Sequence, residues 1–257
     1  MTTELGRERM FDAIEAQTGL VRFALQGVGG EGADLSVPVA SCPGWNVHEL
    51  VVHLGTANWW GGANVREANP EARARGMRAV TESAPPAAEG AAALEQWYAG
   101  LAGAAIDTYA ETEPDAPVWT FAGPGRADYW LRRQLYETAI HRWDLERALT
   151  GEAGTTPLMD DVAVDAIDEF CTALRPIMSA ALPPLPVTIR VRAGECEWVL
   201  PGAEGADLQP APEVEVTGPP EALILLLWGR VSPDADGLEV TGDRGGLDAA
   251  LEAGLSI

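Results

Sequence analysis

The 257-residue chain has no lysine: all 17 of its basic residues are arginine, set against 39 acidic ones, for a formal charge of −22. A surface this acidic repels phosphate backbones and anionic headgroups, which argues against nucleic acid and membrane surfaces as partners. It repels an anionic small substrate too, unless a local arginine or a metal ion holds it. Without lysine, no Walker-type phosphate loop can form. Cysteine is scarce. Cys42, Cys171 and Cys196 are odd in number and widely spaced, with no CxxC pair. That speaks against a disulfide framework and for a reducing compartment, so a cytoplasmic protein is expected. The longest apolar run, Ala222–Trp228, falls far short of the roughly 20 residues that span a bilayer. The first residues mix both charge signs and lack the apolar stretch of a signal peptide.

What remains is enough hydrophobic content, 47%, to bury a real core, in a chain long for one compact core and comfortable for two modest domains. Composition changes near residue 183. Before it, helical spacing prevails: helices are expected over Arg7 to about Gln26, Val47 to about Trp60, Ala91–Thr112, Arg126–Thr150 and Met159–Leu182. Asn46, with Glu49 three residues on, has the pattern of a capping box, and the Gly61-Gly62 pair is read as the stop of the second helix. After residue 183, alternation in VTIRVR (Val187–Arg192) and EVEVT (Glu213–Thr217) marks half-buried strands. A leucine-rich helix over Pro219–Gly229, a last strand over Gly237–Thr241 and a short helix from Gly246 complete an α+β unit. The expected layout is a helical bundle over 1–182, a proline-rich hinge at Ala181–Pro186, and a small α+β domain over 183–257.

With only three histidines, each can be weighed. His141 follows Glu137 by four residues, so the two share a helix face one turn apart. Such pairs are common on helix surfaces and by themselves mean little. His53 alters the balance, because it sits among Leu50, Leu54 and Ala57 on the apolar stripe of the second helix, whereas His48 is rotated away and expected to be solvated. Titratable groups converging on one bundle interior are costly unless an ion or hydrogen bonds pair them. Two histidines and a carboxylate suit zinc with a fourth position open; ferrous iron accepts the same donors. Asp144, one turn beyond His141, can orient its imidazole, or else pair with Arg147. Cys42 reads as a loop thiol with a packing role.

Three passages carry a resemblance. SCPGWNVHELVVHLG (Ser41–Gly55), LRRQLYETAIHRWDLERALTG (Leu131–Gly151) and PPEALILLLWGRVSPDADGLEVTGD (Pro219–Asp243) together resemble the mycothiol-dependent maleylpyruvate isomerase family. That family is a branch of the DinB-like metal-binding four-helix proteins with a sterol-carrier-like C-terminal domain. The resemblance implies a metal, expected to be zinc though another divalent ion would fit, held by His53, Glu137 and His141. It implies mycothiol, a low-molecular-weight thiol, as co-substrate, and Arg230 of the LWGR passage as a catalytic or substrate-contacting residue. The structural alternative pairs Arg230 with Asp234 or Asp236. One departure is visible: Tyr136 stands before the ligand Glu where the family commonly has His, which bears on the pocket wall. The implied activity is cis-trans isomerisation of a maleylpyruvate-like dicarboxylate. The alternatives are an S-transferase conjugating the thiol to an electrophile, and a non-enzymatic metal- or ligand-binding protein.

Overall fold

The computed structural model describes residues 4–151, 154–179, 182–202 and 212–255. The chain divides into two compact units, Gly6–Thr156 and the residues from Pro157 onward, the latter joined by the start of the chain, where the Leu5 N–H donates to Asp165 (3.3 Å).

The first unit is built on four long helices, α1 (Arg7–Gln26), α2 (Val47–Glu67), α4 (Ala91–Glu111) and α5 (Asp128–Thr150), with a short α3 (Met77–Glu82) between α2 and α4. Helices α1 and α2 each pack on both α4 and α5. Val21 and Leu25 of α1, Leu50, Val51 and Leu54 of α2, Leu94 and Tyr98 of α4 and Leu145 of α5 close the core. The capping box at Asn46 forms: its side chain accepts from Glu49 N (3.1 Å), and the Glu49 carboxylate accepts from Asn46 N (2.8 Å).

Helix α2 runs through Gly61 and Gly62 instead of stopping there. These glycines make room for neighbours. A Cβ on Gly61 would lie 2.5 Å from the Tyr109 hydroxyl, and one on Gly62 3.1 Å from the Cα of Ala105. The helix ends at Glu67, capped by Ala68, whose φ of 47° is left-handed. Between α4 and α5 lies a hairpin that periodicity did not announce, β1 (Pro117–Thr120) antiparallel to β2 (Gly123–Arg126). Its strands are too short to show alternation. The hairpin carries Trp119 and Phe121 against Trp60 and Trp130, and Trp130 donates its indole N–H to the Trp119 carbonyl (2.7 Å).

The second unit begins earlier than composition suggests. Helix α6 (Asp160–Glu169) continues through a π-helical turn (Phe170–Leu174) into α7 (Arg175–Met178). It packs on α8 (Pro220–Leu227) of the same unit. A helical period cannot say which neighbour a helix chooses, so the compositional boundary near 183 and the structural one at Thr156–Pro157 differ by this helical segment. Of the hinge Ala181–Pro186, Ala181 lies outside the described residues, as does Ala180 of the helix expected to reach Leu182.

Strands β3 (Ile189–Ala193), β4 (Cys196–Leu200), β5 (Val214–Thr217) and β6 (Glu239–Gly242) form one sheet in the order β4-β3-β5-β6. Strands β3 and β5 are parallel and the other pairs antiparallel. Alternation sends Ile189, Val191, Val214 and Val216 inward, where they are almost fully buried. On the other face Arg190 and Arg192 meet Glu215 (3.2 and 3.4 Å). Leu223, Leu226 and Leu227 of α8 and Leu247 of α9 (Arg244–Glu252) complete the core. The gap among these side chains has a cavity volume of about 10 Å³, enough for roughly one water.

Candidate metal centre

The site is built from one turn and two helices of the bundle. In Ser41-Cys42-Pro43-Gly44-Trp45 the Trp45 N–H donates to the Cys42 carbonyl (3.0 Å), and Gly44 has φ 87°. This is a type II turn: proline presets the second position, and the third must be left-handed, which glycine adopts without strain. The turn delivers Ser41, Cys42 and Trp45 to the start of α2. Helix α5 supplies Arg133, Glu137, His141 and Asp144 at spacings of four, four and three, and so along one face.

His53 Nε2 lies 2.8 Å from Glu137 Oε1, and His141 Nε2 lies 3.5 Å from the same oxygen. One ligand atom from each of the three residues falls within 4.8 Å of the others. The two imidazoles meet edge to face at 4.9 Å, and Trp45 covers both at 4.8 and 6.2 Å. On its far side His141 Nδ1 donates to Asp144 Oδ2 (2.9 Å). The other Asp144 oxygen accepts from Ser41 Oγ (2.6 Å), and the Cys42 thiol approaches Oδ2 at 3.6 Å. Cys42 is therefore part of the surroundings of the site and not only loop packing.

Two charges in this cluster are strongly displaced. Burial pushes the Glu137 carboxyl up, but hydrogen bonds from His141 and His53 and the charges of His141 and Arg133 outweigh it and hold the group well below 4.5. Burial pushes His141 down, yet its hydrogen bonds to Asp144, Cys42 and Glu137 and the Glu137 charge win, holding it well above 6.5. The unmetallated cluster is thus a buried ion pair, Glu137 ionised and His141 protonated.

The donor set fits a divalent ion. Two imidazole nitrogens and one carboxylate oxygen converge within ligand distance, and Asp144 keeps the Nδ1 proton on His141 so that its Nε2 faces Glu137. Beside His53 opens a cavity of about 470 Å³, lined by Trp45, His48, Val52, His53, Met77 and Thr81 among others. His53 is not at the centre of a buried stripe: Leu50 and Leu54 are sealed, whereas its side chain is 35% exposed on the cavity wall. His48 is not simply solvated either. It bonds the Pro85 carbonyl (2.9 Å) and lines the same cavity.

Sequence reading passed over Arg133. It is 3% exposed and donates to Glu137 Oε2 (2.8 Å); its i, i+4 spacing to Glu137 was the signal available. Tyr136 is buried and is not among the residues lining the cavity. Arg230, in the other unit, donates to the Trp228 carbonyl (2.7 Å) and lies over the Trp228 ring, while Asp234 is gripped by Arg244 (2.8 and 3.0 Å). Gly27, Gly29 and Gly32 have the spacing of a dinucleotide fingerprint, but they follow helix α1 instead of a strand, the wrong context for that turn.

Fold and site together define a two-unit protein: a helical bundle enclosing a two-histidine, one-carboxylate centre, followed by a small α+β module. The family model of the mycothiol maleylpyruvate isomerase N-terminal domain matches residues 19–146, and that of the MDMPI C-terminal domain matches residues 161–249. The chain belongs to the mycothiol-dependent maleylpyruvate isomerase family. A crystal structure of the mycothiol-dependent maleylpyruvate isomerase shares the fold with a TM-score of 0.66 at 18% identity, over 94% of this chain and 96% of that one. A histidine-to-alanine mutant of that isomerase gives 0.65 at 17% identity with the same coverage. No curated protein matches the chain. Among the described residues no helix is long and apolar enough to cross a membrane.

Proposed function

We propose that the chain is a thiol-dependent metalloenzyme in which His53, Glu137 and His141 hold a divalent ion, zinc by preference, and mycothiol is the co-substrate. The observation that carries this reading is the convergence of three ligand atoms within 4.8 Å beside an open cavity. When bound, the ion would supply a thiolate nucleophile at neutral pH. Asp144, anchored by Ser41, fixes the ring of His141 and keeps its Nδ1 proton in place. Trp45 packs against both imidazoles, while His53 stays open to the cavity. In isomerisation the thiol sulfur adds to one carbon of a cis double bond, the remaining single bond rotates, and the sulfur leaves, returning the thiol and the trans product. Arg230 is assigned by family resemblance to a substrate carboxylate, a duty suited to its planar, bidentate cation.

A second reading, transfer of the thiol to an electrophile, is favoured by one feature. Among the described residues lining the cavity there is neither Arg nor Lys, and Glu49 is its one carboxylate. Such a wall suits an uncharged electrophile better than a dicarboxylate.

Elemental analysis of wild type and His141→Ala, purified without added metal, tests the centre. About one ion per chain in the wild type and little in the variant is expected; no ion in either, after zinc is offered, sinks the metalloenzyme reading. Incubating the zinc form with mycothiol and either maleylpyruvate or an uncharged electrophile then separates the two reactions by product.

A further inference from the structure

The two oxygens of Glu137 have different neighbours. Oε1 faces the two histidines, whereas Oε2 receives Arg133 Nη2 at 2.8 Å. The Arg133 guanidinium is 3% exposed, so its hydrogen bond to Oε2 is made out of reach of bulk water, where charge-assisted bonds are strong. We infer that Arg133 is a positioning residue that restricts Glu137 to a single ligating oxygen and thereby keeps the fourth coordination position of the ion open. This rests on His53, Glu137 and His141 being the metal ligands. A carboxylate can grip an ion with one oxygen or two. The charge-assisted hydrogen bond holds Oε2 toward Arg133 and leaves Oε1 toward the ion, so that the protein offers three donor atoms, the number that leaves a tetrahedral ion one exchangeable site. Without Arg133, Oε2 is free to turn onto the ion and fill the position that an incoming thiol needs.

Helix α5 contains its own control. Arg142 pairs with Glu146 at the same i, i+4 spacing (2.7 Å), and it too is fully buried. There the Thr156 backbone N–H donates to the same oxygen as Arg142, Glu146 Oε2 (2.7 Å), and the Thr156 hydroxyl donates to the other, Oε1 (3.0 Å). That pair ties the end of the bundle together. The Arg133 pair instead has its second oxygen turned toward two imidazoles.

Cobalt(II) substituted into the whole protein reads the geometry directly, since its visible band is intense in four-coordinate sites and weak at higher coordination. The wild type should give an intense four-coordinate band that shifts when a simple thiol is added. Arg133→Met should still bind one cobalt, but with the band weakened several-fold and no longer responsive to thiol. Arg133→Lys, which keeps a cation, should restore it. Arg142→Lys should leave the band unchanged. A full-strength, thiol-responsive band in cobalt-loaded Arg133→Met overturns the inference. So does a weak, high-coordination band in the wild type, which decides the matter even where the methionine variant does not fold. Failure of the wild type to bind cobalt at all rejects the underlying metal site, and is told apart by stoichiometry.

Discussion

Asp144 Oδ2 lies 2.9 Å from Nδ1 of His141, three residues earlier on the same helix, with its own side chain wholly shielded from solvent. A carboxylate can only accept, so the hydrogen bond selects one tautomer and leaves the opposite nitrogen of the ring toward Glu137. Partners of this kind on ligating histidines typically contribute about 10–100-fold in metal affinity or activity. Asp144→Ala is therefore expected to weaken zinc binding within that range, and Ser41→Ala to weaken it less, because the serine acts only through Asp144. Competition with a chelating dye measures both. Unaltered affinity in Asp144→Ala would count against the histidine as a ligand.

Without metal, the cluster should leave a signature in stability against pH. The depressed Glu137 carboxyl contributes stability that is present above 4.5 and lost as pH falls through its folded value. The raised His141 contributes stability present below 6.5 and lost as pH rises through its own. Both contributions are complete only between those limits. Urea unfolding of the metal-free protein should find its largest contribution from the cluster there, with an alkaline decline that His141→Gln abolishes. Zinc binding displaces the extra proton, so calorimetry in buffers of different ionisation enthalpy should detect proton release, and affinity should drop as pH falls.

Gly61 holds α2 against its neighbours, since a methyl there would meet the Tyr109 hydroxyl at 2.5 Å and Gln134 Cγ at 2.8 Å. Gly61→Ala should cost about 1–3 kcal/mol through overpacking, although alanine is the better helix former. A rise in Tm would show that Tyr109 and Gln134 yield freely.

Asn46 both caps α2 and follows Trp45, whose ring lies tilted against the histidines. Asn46→Ala should lose about 1 kcal/mol of stability, measured by thermal melting. A larger fall in zinc affinity than in stability would show that the cap also sets the position of Trp45.

Several elements were legible in the residues themselves. Helix α1 needed only its period and Gly27; the capping box at Asn46 needed only an Asn and a Glu three apart; β3 and β5 needed only alternation. These are short-range rules, satisfied within a turn or a few residues of strand. The spacing of Glu137, His141 and Asp144 on one face of α5 is of the same kind. Rules of this range stop where a distant neighbour decides. Gly61 and Gly62 read as a helix end, yet they are places where α4 and α5 approach closely. Helix α6 has the same helical period as the bundle's helices, but it packs on α8. His53 reads as part of an apolar stripe, and only the packing of the bundle turned it to the cavity and onto Glu137, 84 residues away. Arg133 was visible as one more arginine in an i, i+4 pair. Its burial, and the division of labour between the two oxygens of Glu137, come from helices meeting in three dimensions, because no periodicity encodes which side of a carboxylate another helix will face.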